Sequence, residues 1–309
     1  MTRVAVVDLG TNSTRLLVAD VDEGQAIELD RRITITKLGE GVDGGRHLAP
    51  RAVERVHTCL ADYRARIDRY APDLQLAYAT SAVRDALNGD DFLEEIESRF
   101  GLPTRLLSGD EEALLTFAGV AAGRDLADPT VIVDIGGGST EIVLGGTAGV
   151  VFHTSLDFGC VRLSERYAEP EGGGSPDVAA LTDHVGSLLR DTVPSEPQPA
   201  LGIGTAGTVT TLGTLHLGLP EEDPAALHGH RLPASWIPAE AQRLATTPVA
   251  ELRRRPGIAP ERAAVIAAGA LALAEIVRYF DLPELEVSET DVLHGVALEA
   301  AALNATREP

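Results

Sequence analysis

Two carboxylates, Asp134 and Glu141, bracket three glycines and two hydroxyls in the stretch Val131-Ile132-Val133-Asp134-Ile135-Gly136-Gly137-Gly138-Ser139-Thr140-Glu141-Ile142-Val143-Leu144. Glycines let backbone N–H groups come close to an anion, and carboxylate oxygens have the hardness to hold a divalent cation over it. Those residue types in that order predict a phosphate-and-metal site. Three glycines alone would mean no more than a polar hairpin turn. A second copy changes that reading. Ala5-Val6-Val7-Asp8-Leu9-Gly10-Thr11-Asn12-Ser13-Thr14-Arg15-Leu16-Leu17-Val18 aligns on it without a gap, with Asp8 over Asp134, Gly10 over Gly136, Ser13 over Ser139 and Thr14 over Thr140. Such a duplication implies two related half-structures, expected to face each other across a cleft and to grip one phosphate chain.

Stepping outward, each copy reads as strand, glycine turn and returning strand, since β-branched residues flank a turn that glycine tolerates best. Residues 1–37 read as a meander with a turn at Gly24, and 39–45 as a loop. Pro50 opens a helix that spaces Val53, Val56, Leu60, Tyr63 and Ile67 along one face. A strand over 74–79 then delivers Ser81 and Arg84 to a helix start. There they could bind an anion, although an N-cap serine and a surface arginine are the simpler explanation.

Ser108 stands before Asp110, Glu111 and Glu112. Acids in a first helical turn suit the helix dipole, which accounts for one or two of them, and the remaining glutamate is free to act as a general base. Composition does not say which. Residues 123–129 are a polar connector and the expected domain boundary. Gly159 begins a helix, 169–176 is a surface loop, and 201–205 is a strand entering the glycine turn Gly204-Thr205-Ala206-Gly207-Thr208 with a helix from Val209. Residues 261–280 read as the longest and most apolar helix, followed by a strand over 285–288 and a terminal helix from Val292.

The chain of 309 residues is long enough for two domains, and 44% hydrophobic with 24% charged residues is the balance of a globular protein. A net charge of −21 disfavours nucleic acid as a partner, so a phosphate substrate must be held by local N–H groups, arginines and metal. The single lysine, Lys37, lies outside any glycine loop, which excludes the GxxxxGK[ST] signature. Cys59 and Cys160 form no CxxC pair, and His228 with Gly229 and His230 is too little for a metal site. With no signal-like N-terminus and no apolar run of spanning length, no membrane partner and a cytoplasmic location are expected.

Taken together, Asp8-Leu9-Gly10-Thr11-Asn12-Ser13, Ala79 to Arg84, Ser108 to Ala113, Asp134 to Glu141, Gly159-Cys160-Val161-Arg162-Leu163, Gly204 to Thr208 and Pro256 to Arg262 resemble successive motifs of the exopolyphosphatase and guanosine pentaphosphate phosphohydrolase family. The resemblance spans nearly the whole chain in order. It implies an α/β fold of two duplicated ribonuclease-H-like domains of the actin-like ATPase kind, with mixed sheets flanked by helices and a cleft between them. The first would be 1–124 and the second 125–309, with the terminal helix free to pack back on the first. Carried over position by position, it makes Glu112 the catalytic glutamate and Asp134 and Glu141 the metal ligands. Asp8, Thr11, Asn12, Ser13, Gly137, Gly138, Ser139 and Thr140 become the phosphate cradle, Arg84 an arginine on the bound phosphate, and Gly207 and Thr208 a lining loop. The implied reaction is Mg²⁺-dependent hydrolysis of the terminal phosphoanhydride of inorganic polyphosphate. Guanosine pentaphosphate in the same cleft is the first alternative, and a weakly active or non-catalytic nucleotide sensor or an ATP-dependent kinase are others. Apolar final helices make a homodimer reasonable. The chain departs from the family where Ser288 to Gly295 replaces a Gly-Leu-Arg-Glu-Gly pattern, and it stops before the C-terminal helical modules of longer members.

Overall fold

In the computed structural model, residues 1–126, 129–167 and 176–306 are described. The chain divides into two compact units, 1–124 with 290–309, and 125–289. The second unit therefore ends at Glu289 and not at the end of the chain. Most of the loop expected over 169–176, and part of the connector over 123–129, fall outside the described residues.

The first unit is built on a five-stranded sheet of β1 (Thr2–Leu9), β2 (Ser13–Asp22), β3 (Gln25–Ile35), β4 (Leu74–Ala79) and β5 (Thr104–Leu106), ordered β3-β2-β1-β4-β5. β1 pairs antiparallel with β2 and parallel with β4. It is apolar on both sides because it is buried on both sides. Ala5, Val7 and Leu9 enter a core under the Pro50–Tyr70 helix, while Val4 and Val6 enter a second core with Leu115, Val292 and Val296. That second face explains why the terminal helix Val292–Ala305 belongs here. Together with the Gly109–Ala121 helix it covers apolar surface that would otherwise meet water.

These two helices touch backbone to backbone. A methyl group on Gly295 would fall 1.9 Å from the Leu115 carbonyl oxygen, and one on Gly119 would fall 2.0 Å from that of Asp291. Since a backbone oxygen cannot swing aside, Gly295→Ala is expected to destabilise this unit by about 1–3 kcal/mol. A thermal melt that shows no loss would contradict this packing.

The second unit repeats the plan. β6 (Thr130–Ile135), β7 (Thr140–Gly146), β8 (Gly149–Leu156), β9 (Leu201–Thr205), β10 (Arg231–Pro233) and β11 (Glu284–Val287) form a sheet ordered β10-β11-β9-β6-β7-β8. Reading β8-β7-β6-β9-β11 against β3-β2-β1-β4-β5 gives the same antiparallel and parallel steps. The duplication thus extends from one hairpin to the whole sheet. β10 is an antiparallel edge strand, too short to read in a proline-flanked sequence.

Three sequence expectations change. The apolar helix is Ile266–Tyr279, preceded by turns, and the longest helix is Pro50–Tyr70. Residues 42–45 form one helical turn within the expected loop. The helix after the third glycine turn begins at Ala206, not Val209. No helix among the described residues is long and apolar enough to cross a membrane.

Candidate active site

The two predicted loops share one geometry. Gly10 N–H donates to the Ser13 carbonyl at 3.1 Å, and Gly136 N–H donates to the Ser139 carbonyl at 3.1 Å. Each turn leans on a separate backing segment. In the second unit the carbonyls of Gly136 and Gly137 accept N–H groups of Cys160 (2.9 Å), Val161 (2.8 Å) and Arg162 (3.1 Å), and Gly138 accepts Arg162 Nε at 2.8 Å. In the first, Thr11 and Asn12 carbonyls accept the N–H groups of Gly39 (2.8 Å) and Lys37 (2.9 Å).

In a planar trans peptide the carbonyl of one residue and the N–H of the next point opposite ways. With those carbonyls turned onto the backing segments, the N–H groups of Gly137, Gly138 and Ser139, and of Asn12 and Ser13, face away from them. The result is two short rows of outward amides, which is how a backbone receives phosphate. The backing requires two glycines, Gly159 of the Gly159–Leu163 motif and Gly39, which the sequence marked only as part of a loop. A methyl group on Gly159 would fall 2.5 Å from Gly137 C, and one on Gly39 would fall 2.3 Å from Thr11 Cγ2.

Hydroxyls divide between scaffold and loop. The Thr140 hydroxyl donates to the Phe158 carbonyl at 2.7 Å, so its proton is not available to a phosphate. Its counterpart Thr14 is likewise tied to Thr36 at 3.0 Å. Thr11 Oγ1 lies 3.2 Å from Ser81 Oγ, which brings the start of the Ser81–Asp85 helix to the first loop.

The aspartates of the two copies have opposite partners. Asp8 sits across the hairpin from Arg15, and Asp134 across from Glu141. Arg15 Nε donates to Asp8 Oδ2 at 2.7 Å and its Nη1 to Asp291, a residue at the N-terminus of the terminal helix that sequence reasoning missed. Burial pushes the Asp8 carboxyl above its ordinary range, Arg15 opposes the rise, and the charge of Asp291 adds to it. Burial would raise Asp291 as well. Arg15, the His294 hydrogen bond and Arg31 outweigh it and hold that carboxyl below the usual range. His294 Nδ1 accepts the Asp291 N–H at 3.2 Å, which leaves Nε2 to donate to Glu28 at 2.9 Å. Asp8 Oδ1 and the Tyr78 hydroxyl are buried with no hydrogen-bond partner among the described residues, and the two residues face each other in register on β1 and β4.

In the second unit both members of the pair are acids. Asp134 and Glu141 are buried and directly opposed, and Glu141 Oε1 accepts the Ser155 hydroxyl at 2.7 Å. Like charges opposed in this way repel unless a cation is shared, so the pair fits a divalent ion. Among the described residues no group of three or more His, Cys, Asp or Glu gathers to hold a metal. Two carboxylates with water and phosphate oxygens completing the shell is the pattern Mg²⁺ favours.

The three acids after Ser108 separate cleanly. Glu111 closes a capping box, its Oε2 accepting the Ser108 N–H at 2.8 Å and its own N–H reaching Ser108 Oγ at 3.2 Å, while Oε1 takes Arg105 at 2.7 Å. Asp110 is exposed. Glu112 is buried, and its Oε2 lies 3.5 Å from Arg84 Nη1, which also donates to the Leu107 carbonyl at 2.7 Å. The spacing Ser108-x-x-Glu111 could have found this division, because a capping glutamate stands at the third helical position.

Glu111 also sets an acid dependence. The Arg105 hydrogen bond, with Ser108 adding to it, holds its carboxyl at about 2 against an ordinary 4.5. A depressed folded value contributes stability above about pH 4.5 that is lost as pH falls towards 2. Exposure to solvent limits the contribution to less than ~1 kcal/mol. Glu111→Gln should therefore flatten the acid limb of stability between pH 5 and 2, read by melts across that range.

The third loop is placed by Thr205, whose hydroxyl donates to the Ser288 carbonyl at 3.2 Å. Thr208 is buried against Cys160 and Gly269, so its side chain packs within the unit. Burial pushes the Cys160 thiol up to about 11, with Arg262 and Thr208 opposing, which makes it an inert core group.

A two-unit α/β protein with duplicated mixed sheets, two glycine turns of one geometry and a buried glutamate beside an arginine has the make-up of a phosphate-cleaving enzyme. The profile of the Ppx/GppA phosphatase family matches residues 17–303. Exopolyphosphatase 2 of Mycobacterium tuberculosis is 38% identical, over 97% of this chain and 99% of its own. A crystal structure described as an exopolyphosphatase-like protein superimposes with a TM-score of 0.91 at 30% identity, covering 98% of this chain and 99% of its own. The Ppx/GppA family member of Aquifex aeolicus gives 0.82 at 28%, covering 98% of each chain. The chain belongs to the Ppx/GppA phosphatase family.

Proposed function

We propose that this protein is an exopolyphosphatase that removes orthophosphate from the end of inorganic polyphosphate. The observation that carries this reading is the second loop. There the outward amides of Gly137, Gly138 and Ser139 stand at the end of a hairpin whose opposed residues are Asp134 and Glu141. The mycobacterial relative adds the substrate class by its name. Asn12 and Ser13 supply the corresponding row of amides in the first unit.

Asp134 and Glu141 would hold Mg²⁺, which when bound neutralises phosphate oxygens as charge spreads in the loose transition state. Arg84 offers an N–H fork to the phosphate being cleaved and positions Glu112. Glu112 accepts the proton of the attacking water as the water oxygen bonds to the terminal phosphorus; the bridging P–O bond breaks, its electron pair stays on the shortened chain, and the terminal group is released as orthophosphate. Gly207 and Thr208 shape the third loop through backbone. Asp8 and Arg15 fix the first loop and its charge.

Guanosine pentaphosphate presents the same terminal anhydride and is the second reading, since the family covers both activities. Orthophosphate release measured in parallel on polyphosphates of several lengths and on guanosine pentaphosphate tests the proposal. Release from polyphosphate supports it, and release from the nucleotide alone replaces it. Binding of either with no release assigns the chain to a sensor.

A further inference from the structure

Tyr78 departs from what other tyrosines of the chain do. The hydroxyls of Tyr63, Tyr70 and Tyr279 each donate to a backbone carbonyl, those of Thr14, Leu29 and Val193. Tyr78 is fully buried, yet its hydroxyl has no hydrogen-bond partner among the described residues. A buried hydroxyl left unbonded destabilises a fold, and phenylalanine would fill the same space without it.

Its neighbours supply a reason for the hydroxyl. Tyr78 on β4 lies in register beside Asp8 on β1, and its side chain is on the sheet face that the Gly109–Ala121 and Val292–Ala305 helices cover. Asp8 Oδ2 accepts Arg15 Nε at 2.7 Å, while Asp8 Oδ1 is buried and unbonded as well. A donor without an acceptor thus stands next to an acceptor without a donor. A phenol reaches further from its strand than a carboxylate, so in-register neighbours end at different heights and one water suffices to join them. Burial and the charges of Asp8, Asp291 and Glu112, against the opposing Arg15, hold the phenol well above its ordinary range, which keeps it a donor.

We infer that Tyr78 donates through one buried water to Asp8 Oδ1 and is in this way a positioning residue for the first phosphate loop. The inference rests on the polyphosphate reading for its functional part and deepens it. With Arg15 on one oxygen and the bridged phenol on the other, Asp8 is fixed at both, two residues before the Gly10–Ser13 turn. The donor also favours the ionised carboxylate, acting with Arg15 against the burial that pushes Asp8 up. The other charged groups on this face do not replace it. Asp291 adds to the rise of Asp8, and Arg31 and His294 are turned to Asp291. Glu112 has Arg84 beside it, and Arg105 on β5 is bound to Glu111 and Glu299.

The test is Tyr78→Phe in the full chain, which keeps the ring and removes only the hydroxyl. Melts between pH 8 and 4 read the contact without any substrate. At pH 8 the melting temperature should fall by about 2–4 °C, the effect of one lost hydrogen bond. Losing the donor raises the Asp8 carboxyl, so the deficit is present while Asp8 is ionised and should close as pH falls and Asp8 takes up its proton. An equal or higher melting temperature marks the hydroxyl as unbonded, and a deficit constant across pH marks a packing role; either overturns the inference. Turnover reads the positioning. In Tyr78→Phe the acid limb of kcat/KM for polyphosphate should move to higher pH, carried by a KM raised about tenfold on the acid side with kcat little changed. An unmoved acid limb overturns the positioning role. Absence of phosphate release by the wild-type chain overturns the polyphosphate reading, and the melts then decide the contact alone.

Discussion

Glu112→Gln is expected to lower phosphate release by about 10²–10⁴-fold, the usual share of a general base. Of the three acids following Ser108, Glu111 is committed to the capping box and Arg105, and Asp110 faces solvent. Glu112 alone is buried, within reach of Arg84. Glutamine keeps the shape and a hydrogen-bonding oxygen but cannot take a proton from water, so the loss should fall on kcat with KM little changed. Glu111→Gln provides the control, since it carries the same chemical change one residue away and should cost only stability. A Glu112→Gln protein that turns over at near wild-type rate would remove this residue from the chemistry.

The second large effect is expected from the opposed acids. Glu141→Gln and Asp134→Asn should each raise the Mg²⁺ concentration needed for half-maximal release and lower turnover about a hundredfold or more, since metal neutralisation of transition-state charge contributes several kcal/mol. Asp8→Asn should behave differently, because its partner across the hairpin is Arg15, itself also held by Asp291. There the loss should show in substrate affinity with an unchanged Mg²⁺ requirement. Magnesium titrations of phosphate release on the three variants separate these outcomes, and an identical Mg²⁺ response in all three would contradict the assignment of metal to the second hairpin.

Much of this arrangement was legible because it is local. Asp8 and Asp134 with their glycine turns, the flanking strands and the 1–124 side of the boundary are written in contiguous residues whose periodicity and turn chemistry are short-range. The duplication could be read from fourteen aligned residues, and the full sheets repeat it. The parts that were not legible depend on approach between distant segments. Nothing around Gly39 or Gly159 signals that the Thr11 side chain lies against the first and the Gly137 carbonyl against the second. Asp291 reads as an ordinary helix cap until Arg15 is seen to reach it. The membership of the terminal helix is decided by the second face of β1, a property of the sheet and not of the helix. Thr140 shows the opposite error. A hydroxyl aligned with a phosphate motif is turned to the Phe158 carbonyl, because the strand register fixes which way a side chain points.

The most direct measurement is to resolve the products of a defined polyphosphate incubated with the purified protein and Mg²⁺, by gel electrophoresis of the chains alongside an orthophosphate assay. Removal of terminal phosphates one at a time predicts a ladder that shortens from its full length, with orthophosphate accumulating in step and both signals lost in Glu112→Gln. Fragments of intermediate length without orthophosphate, or a chain left at full length by the active wild-type protein, would contradict the assignment.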